Sequence, residues 1–407
     1  EANDRSSYSY QTFIELVRRT AALMQATGLQ RGDRIATAAH NHPDTIIQYF
    51  AAWCMGVCVV PLNMGEDDDR LRYILDNSGV KAVFCREEYL DRLDPILPPS
   101  QPTVIKVYNN RDTEDGFHVL LSAHEPAAFP ESPTLDDECL IVYTSGTTGN
   151  PKGVVLVQRN LMADADSISS WHGIDETQIM MCVLPVHHVN GTIVTHVTPM
   201  YAGATVVLNR KFQTEHFFTR IKVENVNVVS VVPTLLAFLL EANANPLNVL
   251  DAGFRHIICG AGPLTCELAK QFEERYNIPI IHGYGLSETT CYSCFIPALQ
   301  PREEHNHWMF DFGFPSIGIP IPHNEMAIHD EHGNALGEME RGEIVIRGSN
   351  VMKGYFSNDE ANEKAFTYGW FRSGDEGFYK NDESGRPYFF IMGRLKELII
   401  RGGVNIA

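Results

Sequence analysis

One hydroxyl-rich segment stands out for the chemistry that it can do. The stretch YTSGTTGNPKG, residues 143–153, combines three glycines, one serine and three threonines around Lys152, between apolar runs at 140–142 and 154–157. Glycines let successive amide N–H groups point at one anion, and the hydroxyls add further donors. Lys152 adds a compact positive charge. Because Lys152 is followed by glycine and valine, the segment is not the GxxxxGK[ST] signature. It predicts a phosphate-binding loop, with an unusual turn as the alternative.

A second stretch offers groups for a nucleotide. HGYGLSETT, residues 282–290, follows a strand-like run and carries one aromatic ring, two glycines, several hydroxyls and one carboxylate. The ring of Tyr284 can cover the face of a purine, and Glu288 can take Mg²⁺ bridged to phosphate oxygens. The alternative for Glu288 is a carboxylate that favours a helix N-terminus through the helix dipole.

Two further turns fit the same ligand. CGAGPLT, residues 259–265, predicts a strand-to-helix turn whose small side chains let a flat ligand approach the backbone. GWFRSGDEG, residues 369–377, predicts a tight turn in which Asp375 accepts both ribose hydroxyls. The alternative for Asp375 is an ordinary Asp-Glu-Gly turn.

The elements that must position these residues follow an α/β pattern. Helical patterns at 12–28, 44–56 and 69–79 alternate with strand-like runs at 33–40, 57–63 and 80–85. After a polar stretch at 100–135, expected to be a surface connection, the alternation resumes from 158 to 282 and predicts a mostly parallel sheet. From about 317, short strand-like runs separated by glycine-containing turns predict an antiparallel, barrel-like unit.

Composition narrows the functional class. The chain has 407 residues, 44% of them hydrophobic and 20% charged, with a formal net charge of −19. This charge disfavours nucleic acid or an anionic membrane surface as the main partner, but it does not exclude an anionic ligand held by backbone amides. The sequence shows neither a secretory signal nor an apolar run of about 20 residues. Nine cysteines, mostly in apolar runs, indicate reduced thiols and a cytoplasmic protein. Cys291 and Cys294 form a lone CxxC pair, which disfavours a zinc site.

Taken together, these motifs resemble those of the adenylate-forming superfamily, which contains acyl-CoA ligases, luciferases and peptide-synthetase adenylation domains. YTSGTTGNPKG resembles its phosphate loop and GYGLSETT its second signature, while LPVHHVNG, WFRSGD and GRLKELIIRGG match further motifs in the family's order. The resemblance runs from about residue 8 to the end. It implies two doubly wound α/β subdomains, about 1–185 and 186–316, and a small antiparallel β-barrel-like subdomain, 317–393.

The resemblance also implies a chain end just past a hinge. Residues 1–393 would form the large AMP-binding domain, and 394–407 would form the hinge, with Lys396 as its pivot. The family's small C-terminal domain, which carries the lysine that acts during adenylation, is then expected to be truncated or disordered. Oligomeric state stays open, with a homodimer as one alternative.

The implied reaction joins a carboxylic acid to ATP, giving acyl-AMP and pyrophosphate, after which the thiol of CoA displaces AMP. ATP, Mg²⁺ and CoA are the expected cofactors and co-substrates. In this reading Lys152, His188 and Glu288 are catalytic, Glu288 holds Mg²⁺, and Asp375 and Arg394 bind the ribose. The remaining nucleotide-binding residues are Thr144, Ser145, Gly146, Thr147, Thr148, Gly149, Gly260, Ala261, Gly262, Tyr284, Gly285 and Ser287.

The acid pocket that the resemblance implies is apolar. Its expected walls are His187, His188, Val189, Val232, Pro233, Leu235, Cys259, Gly285 and Ile317. The segment LPVHHVNGT contains no acidic residue to pair with an ammonium group, which disfavours an amino acid. Glycine at 285 stands where acetate-type members have a bulky aromatic residue, so it is expected to leave room for a longer acid. A medium or long fatty acid leads, with an aryl acid next. Loading of a carrier protein and a non-catalytic nucleotide-binding protein remain alternatives.

Overall fold

The structure is a computed structural model that describes residues 5–126, 128–129, 132–144, 150–395, 399–401 and 404–406. The chain divides into two compact units, 1–158 and 159–407. The subdomain limits near 185 and 316 stay predictions. Lys396, the predicted hinge residue, lies outside the described residues.

The first unit is built on a mostly parallel sheet. Its helices are α1 (Tyr10–Ala26), α2 (Pro43–Cys54), α3 (Asp68–Ser78), α4 (Leu90–Leu93) and α5 (Phe117–Ser122). Its strands are β1 (Arg34–Ala38), β2 (Cys58–Leu62), β3 (Ala82–Arg86), β4 (Thr103–Val107), β5 (Glu138–Thr144) and β6 (Lys152–Val157). The strand order is β6-β5-β2-β1-β3-β4, and only the β5–β6 pair is antiparallel. All five residues of β2 are buried, as expected for a central strand with helices over both faces.

Local chemistry explains where these helices begin and end. The Ser9 side chain accepts a hydrogen bond from the backbone of Thr12 at the start of α1, and Asp67 does the same for Arg70 at the start of α3. Helix α3 ends at Gly79, which adopts the left-handed conformation that favours glycine. The three helices and three strands predicted in the first 90 residues are confirmed, and their predicted ends agree with the observed ones within about two residues.

The expectation of a simple surface connection at 100–135 is wrong. This stretch contains β4, which extends the parallel sheet beside β3, and the short helix α5. Phe117 of α5 is fully buried and packs edge-on against Phe84 of β3, with ring centroids 5.9 Å apart. The apolar residues of the stretch 100–135 are few and lie between polar ones, so its composition predicted a surface position.

The second unit carries a parallel sheet with an antiparallel edge. Its helices are α6 (Gln158–His172), α7 (Thr198–Tyr201), α8 (Phe217–Val223), α9 (Pro233–Glu241), α10 (Cys266–Tyr276), α11 (Arg302–Phe310) and α12 (Asp359–Ala365). The strands of this sheet are β7 (Ile179–Cys182), β8 (Thr205–Leu208), β9 (Val228–Val231), β10 (His256–Cys259), β11 (Ile280–Tyr284), β12 (Cys294–Phe295) and β13 (Ile319–Pro320). Their order is β8-β7-β9-β10-β11-β12-β13, and β12 and β13 run antiparallel.

A separate antiparallel sheet follows in the same unit. The later strands are β14 (Asn324–His329), β15 (Gly342–Gly348), β16 (Gly354–Tyr355), β17 (Phe371–Asn381), β18 (Pro387–Arg394), β19 (Ile399–Arg401) and β20 (Val404–Ile406). Four of them pair in the order β14-β15-β17-β18, all antiparallel. The predicted α/β class, with two parallel-sheet subdomains and a smaller antiparallel one, is confirmed. Among the described residues, no helix combines the length and the apolar character needed to cross a membrane.

The helix expected near 190–201 is more unusual than its sequence suggests. It begins as a π-helix over Asn190–Val197, entirely buried, and continues as α7. A side chain on Gly191 would collide with the backbone carbonyl of Pro185, so glycine is required by this close approach. The wider π turn is typical of helices that form part of a functional site.

Candidate active site

The predicted phosphate loop connects two antiparallel strands of the first unit. Thr144, the last residue of β5, lies opposite Lys152, the first residue of β6. The β5–β6 ladder runs back from this pair to Glu138 and Val157. Ser145, Gly146, Thr147, Thr148 and Gly149 lie outside the described residues, so their role in phosphate binding stays a prediction.

In the second unit, three neighbouring parallel strands end at one edge. Strands β9, β10 and β11 end at Val231, Cys259 and Tyr284, and the carboxyl ends of parallel strands are where open α/β sheets bind ligands. The turn after β10 contains the predicted residues Gly260, Ala261 and Gly262, and it leads into α10 as expected.

Glycines keep this edge free of side chains. A Cβ on Gly260 would lie 2.6 Å from the ring of Tyr292, and one on Gly283 would lie inside contact distance of the Phe295 ring. Ala261 adopts a positive φ of 59°, which is uncommon for a residue with a side chain. The backbone here is thus held in a special conformation beside densely packed rings.

Two predicted nucleotide-binding residues contact a third, Asp375, directly. The hydroxyl of Tyr284 donates to Oδ2 of Asp375 at 2.6 Å, and Nε of Arg394 lies 2.7 Å from Oδ1 of the same carboxylate. Asp375 and Arg394 are opposite each other on β17 and β18. Asp375 is 1% exposed, whereas half of the Arg394 side chain is exposed.

The expectation that Asp375 lies in a tight turn is wrong. It lies within the 11-residue strand β17, whose pairing with β15 and β18 is irregular near this point. Gly374 has a φ of 73°, so the strand is kinked one residue earlier, and its amide donates to Glu343 of β15 at 2.8 Å. The glycine and serine that suggest a turn in the sequence form this kink, which aims the Asp375 side chain.

Burial controls the ionisation of this cluster. It raises the pKa of Asp375, and the negative charges of Glu288 and Glu343 act in the same direction, while the Tyr284 hydrogen bond and the Arg394 charge oppose them. Burial also raises the pKa of Tyr284 well above its usual range, with a further contribution from Asp375. Tyr284 therefore stays a hydrogen-bond donor at neutral pH, as a group that orients a carboxylate must be.

Glu288 has a partner that the sequence did not reveal. Its Oε1 accepts a hydrogen bond from the Tyr355 hydroxyl at 2.9 Å, and its backbone carbonyl accepts one from the amide of Met352 at 2.8 Å. Tyr355 is 67 residues away in the chain, and no local spacing links it to Glu288. The segment 349–355 therefore holds both the backbone and the carboxylate of the predicted metal ligand.

This segment is anchored in turn by a buried polar network. Asn350 donates through Nδ2 to Asp164 of α6 at 3.1 Å and to the carbonyl of Tyr292 at 2.8 Å. Asn160, one turn earlier on α6, donates to the carbonyls of Ser349 and Val351. Burial raises the pKa of Asp164 to about 8, so this carboxyl group is mostly protonated at pH 7.

The two adjacent histidines differ in environment. His187 is half-buried, and burial together with the charge of His188 lowers its pKa to about 3, so it is neutral at pH 7. Its ring lies 4.4 Å from that of His188, which is exposed. Both precede the π-helix that begins at Asn190, and their role in orienting a substrate carboxylate stays a prediction.

The structure shows a steric reason for glycine at position 285. A Cβ at this position would overlap the carbonyl of Cys291 and lie 2.7 Å from the Cα of Tyr292. Gly285 is therefore needed for close packing of the segment after the signature. The roles of Gly285 in the acid pocket and in nucleotide binding stay predictions. The other predicted wall residues, Val189, Val232, Pro233, Leu235, Cys259 and Ile317, are buried or half-buried in the second unit.

The residues present fit one Mg²⁺ ion bound together with phosphate. Magnesium is commonly held by one or two carboxylates plus substrate phosphates and waters, and Glu288 is a half-buried carboxylate with one oxygen fixed by Tyr355. Among the described residues, no group of three or more His, Cys, Asp or Glu side chains could hold a metal alone. Cys291 and Cys294 are buried free thiols whose pKa values burial raises.

This combination of fold and site defines an adenylate-forming α/β enzyme. The chain belongs to the AMP-binding enzyme family, which matches residues 2–356. Sulfoacetate–CoA ligase of Cupriavidus necator is 32% identical over 383 residues, covering 94% of this chain and 72% of the relative. 2-Succinylbenzoate–CoA ligase of Bacillus licheniformis is 30% identical over 398 residues, covering 97% of this chain and 77% of the relative.

Solved structures give the same assignment. Crystalline ATP-bound MatB from Rhodopseudomonas palustris superposes with a TM-score of 0.86 at 26% identity, over 99% of this chain and 77% of that chain. The predicted superfamily is thereby confirmed. Its CoA ligases act on a small-molecule acid with ATP and CoA, and general acid–CoA ligation is the activity that these similarities support.

Proposed function

We propose that the protein activates a carboxylic acid with ATP, forming acyl-AMP and pyrophosphate, and then transfers the acyl group to CoA with release of AMP. The Tyr284–Asp375–Arg394 contact carries this proposal. Three residues from three separate motifs meet here, with a carboxylate held in place by a phenol and a guanidinium. A buried, oriented carboxylate can accept the two hydroxyls of a ribose.

The neighbouring residues supply the rest of the proposed chemistry. Glu288 would hold Mg²⁺, which when bound neutralises charge on the phosphates. His188 would orient the substrate carboxylate, which needs no base because it is ionised at pH 7. The reaction then depends on positioning and on stabilisation of developing charge. The phosphate-binding roles of residues 144–149 and Lys152 belong to the same proposal.

Two acid classes are candidates. The sequence favoured a medium or long fatty acid, with an aryl acid next, and the apolar residues predicted for the pocket support that choice. One observation favours a short polar acid instead. The relatives named above act on sulfoacetate and 2-succinylbenzoate, each of which has a second ionised group. We therefore propose a short polar acid first and a fatty acid second.

The acceptor is tested by measuring AMP release from the protein at its full natural length. With ATP, Mg²⁺ and a panel of acids, we expect AMP release that depends on CoA. Turnover with an acylated carrier protein as the only product, and none with CoA, would support the carrier-loading alternative. Calorimetry that detects no binding of Mg·ATP would instead favour a non-catalytic protein.

The metal role is tested by Glu288→Gln. This change keeps the size of the side chain and removes its charge, so we expect pyrophosphate exchange to fall about 100-fold or more, with much less effect on AMP binding. Glu325→Gln is the matched control, because Glu325 pairs with Arg347 on the exposed face of the antiparallel sheet. Equal losses of exchange and of AMP binding would contradict the role of Glu288.

A further inference from the structure

A fully buried carboxyl group lies in the second unit, beside the segment that holds Glu288. Asp164 of α6 is 0% exposed, and its Oδ1 accepts a hydrogen bond from Nδ2 of Asn350 at 3.1 Å. Asn350, 1% exposed, belongs to the segment 349–355. A buried carboxyl group is unfavourable in its charged form unless a cation or several donors face it. The protonation state of Asp164 therefore decides how it can contact Asn350.

The surroundings of Asp164 offer little that stabilises a negative charge. Two groups lower its pKa, the side-chain amide of Asn350 and the backbone amide of Tyr292, whose nitrogen lies 3.5 Å from Oδ2. From the same turn the thiol of Cys291 interacts with Asp164, and burial raises the pKa of this thiol well above its usual range, so it is uncharged at pH 7. Within the described part of the chain no cation acts on Asp164, and burial is the dominant influence on its pKa.

The hydrogen bonds around Asn350 show an excess of acceptors. Its side-chain NH₂ group has two hydrogens, but it faces Oδ1 of Asp164 and the carbonyls of Thr289 and Tyr292, the last two at 3.1 and 2.8 Å. The two backbone carbonyls fix the orientation of the amide, because they accept hydrogen bonds and cannot donate them. Oδ1 of Asn350 is then buried without a donor among the described residues. A proton on Asp164 supplies a donor at this place.

Asn350 also holds the turn that carries Glu288. Its backbone carbonyl accepts a hydrogen bond from Oγ1 of Thr290 at 2.6 Å, and its side chain donates to the carbonyl of Thr289. Thr290 has a φ of 64°, which is a genuine outlier for a β-branched residue. Such a conformation persists only where the surrounding contacts fix it. Asn350 therefore fixes the backbone that directly follows Glu288.

We propose that Asp164 is a positioning residue that acts as a neutral carboxylic acid, donating its proton to Oδ1 of Asn350 so that the acid–amide pair holds the segment 349–355 against Glu288. The proposal rests on the proposed ligase function, in which Glu288 holds Mg²⁺. Burial raises the pKa of Asp164 to about 8, so the acid form prevails at pH 7. When Asp164 ionises, Asn350 loses this donor and an unpaired charge appears beside the turn. Mg²⁺ binding therefore weakens at alkaline pH.

The main test compares the pH dependence of three full-length proteins. Asp164→Asn keeps the size of the side chain, an N–H donor and an oxygen acceptor, but it cannot ionise. Asp166→Asn is the matched control, because Asp166 lies on the same helix and forms a half-exposed pair with His323. From about pH 7 to about pH 9.5, we expect the Mg²⁺ concentration for half-maximal pyrophosphate exchange to rise about tenfold in the unaltered protein and in Asp166→Asn. In Asp164→Asn it should rise less than about twofold.

A second measurement needs no ligand. Infrared difference spectroscopy between the same two pH values detects the carbonyl stretch of a carboxyl group that loses its proton. We expect this band in the unaltered protein and in Asp166→Asn, and a weaker band in Asp164→Asn. Asp375, whose pKa burial also raises, accounts for any band that remains.

The outcomes separate this proposal from the function on which it rests. If the Mg²⁺ requirement of Asp164→Asn rises with pH as in the unaltered protein, or if Asp164→Asn leaves the band unchanged, the proposal is wrong while the ligase function stands. If no acid supports exchange, the ligase function fails, and the affinity for Mg·ATP, measured by calorimetry at both pH values, is expected to show the same pattern. Absence of Mg·ATP binding overturns both.

The unaltered protein decides the question if Asp164→Asn does not fold. Its carboxyl band and its Mg²⁺ requirement should then change with one common midpoint near pH 8. Different midpoints overturn the proposal, because the proton on Asp164 would not be what holds the segment 349–355.

Discussion

The two ends of strand β10 both carry buried polar groups, yet only one end resembles a binding site. At the amino end, Nε2 of His256 lies 2.9 Å from Nδ1 of His172. Arg255 donates a hydrogen bond to the carbonyl of His172 at 2.8 Å. At the carboxyl end, Cys259 leads into Gly260, which faces the Tyr292 hydroxyl.

The difference lies in what covers the polar atoms. On the histidine side, the ring of Phe295 packs nearly perpendicular to that of His172, with ring centroids 4.7 Å apart. The carboxyl end instead has glycines at 260, 283 and 285, so backbone and polar groups can approach where side chains would otherwise stand. Buried polar residues alone thus do not identify a site. Buried polar residues that lie beside positions where no side chain fits do identify one.

The largest expected effect comes from adding a side chain at one of these glycine positions. Gly285→Ala places a methyl group against the backbone of Cys291 and Tyr292, which cannot move away as a flexible side chain could. We expect pyrophosphate exchange to fall more than 100-fold, with a loss of about 2–4 kcal/mol in the free energy of unfolding. Exchange assays and chemical denaturation measure the two effects.

A glycine with free space provides the control for that change. Gly393 of β18 has no atom within 4 Å of its added Cβ position. Gly393→Ala should change stability by less than about 0.5 kcal/mol and leave exchange within a few-fold of the unaltered protein. Similar losses for both variants would mean that close approach at the carboxyl end is not what makes Gly285 necessary.

A smaller effect is expected from Tyr355→Phe, which tests how the carboxylate of Glu288 is oriented. The change removes the hydroxyl that holds Oε1 of Glu288 at 2.9 Å and keeps the ring. Groups that orient a metal ligand typically affect metal affinity by about 10–100-fold. We expect the Mg²⁺ concentration for half-maximal exchange to rise about tenfold, and calorimetry to show weaker binding of Mg·ATP than of ATP alone.

The control for this variant is a tyrosine of the antiparallel sheet. Tyr379 of β17 packs its ring 5.7 Å from Phe389, away from Glu288. Tyr379→Phe should leave the Mg²⁺ dependence unchanged. An unchanged Mg²⁺ dependence in Tyr355→Phe as well would show that Glu288 is oriented without the phenol.

The smallest effect on activity is expected at the amino end of β10, where the pH dependence of stability is the quantity to measure. Burial lowers the pKa of His256 to about 3 and that of His172 well below its usual range of about 6.5. Below pH 6.5 the unfolded chain therefore binds more protons than the folded chain, so this contribution to stability is present above pH 6.5 and is lost as the pH falls.

The test replaces both histidines with apolar residues. In a His172→Phe, His256→Leu double variant, the loss of stability between pH 6.5 and 4 should shrink, by at most about 1.4 kcal/mol per histidine per pH unit. Acid unfolding followed by circular dichroism measures this change. At pH 7.5, kcat/KM should remain within about twofold. A large loss of activity in a folded double variant would contradict the contrast between the two ends.

The sequence predicted most of the elements and part of the site because both leave local patterns. Alternating apolar periods located the helices and strands on either side of the phosphate loop, and motifs supplied Tyr284, Asp375 and Arg394. The strand character of Asp375 was missed, because Ser373 and Gly374 have the composition of a turn. Only the register between β17 and β18 shows that the kink lies inside a ladder.

Contacts across long stretches of chain could not be predicted in this way. Tyr355 and Glu288 are 67 residues apart, and Asn350 and Asp164 are 186 apart. Each of these residues alone is an ordinary polar side chain. The hydrogen bonds that link Ser230, Asn190 and Tyr292 also join residues far apart in the chain, and the close packing at Gly285 depends on backbone that follows it by six residues.

The attachment of Glu288 has an entropic consequence. A glutamate side chain that becomes fixed loses conformational freedom equivalent to about 1.5–2 kcal/mol. In this protein the hydrogen bonds from Met352 and Tyr355 restrict Glu288 at its backbone and at its carboxylate. Much of that freedom is therefore lost when the chain folds, so a ligand that later binds to the carboxylate has less disorder to remove.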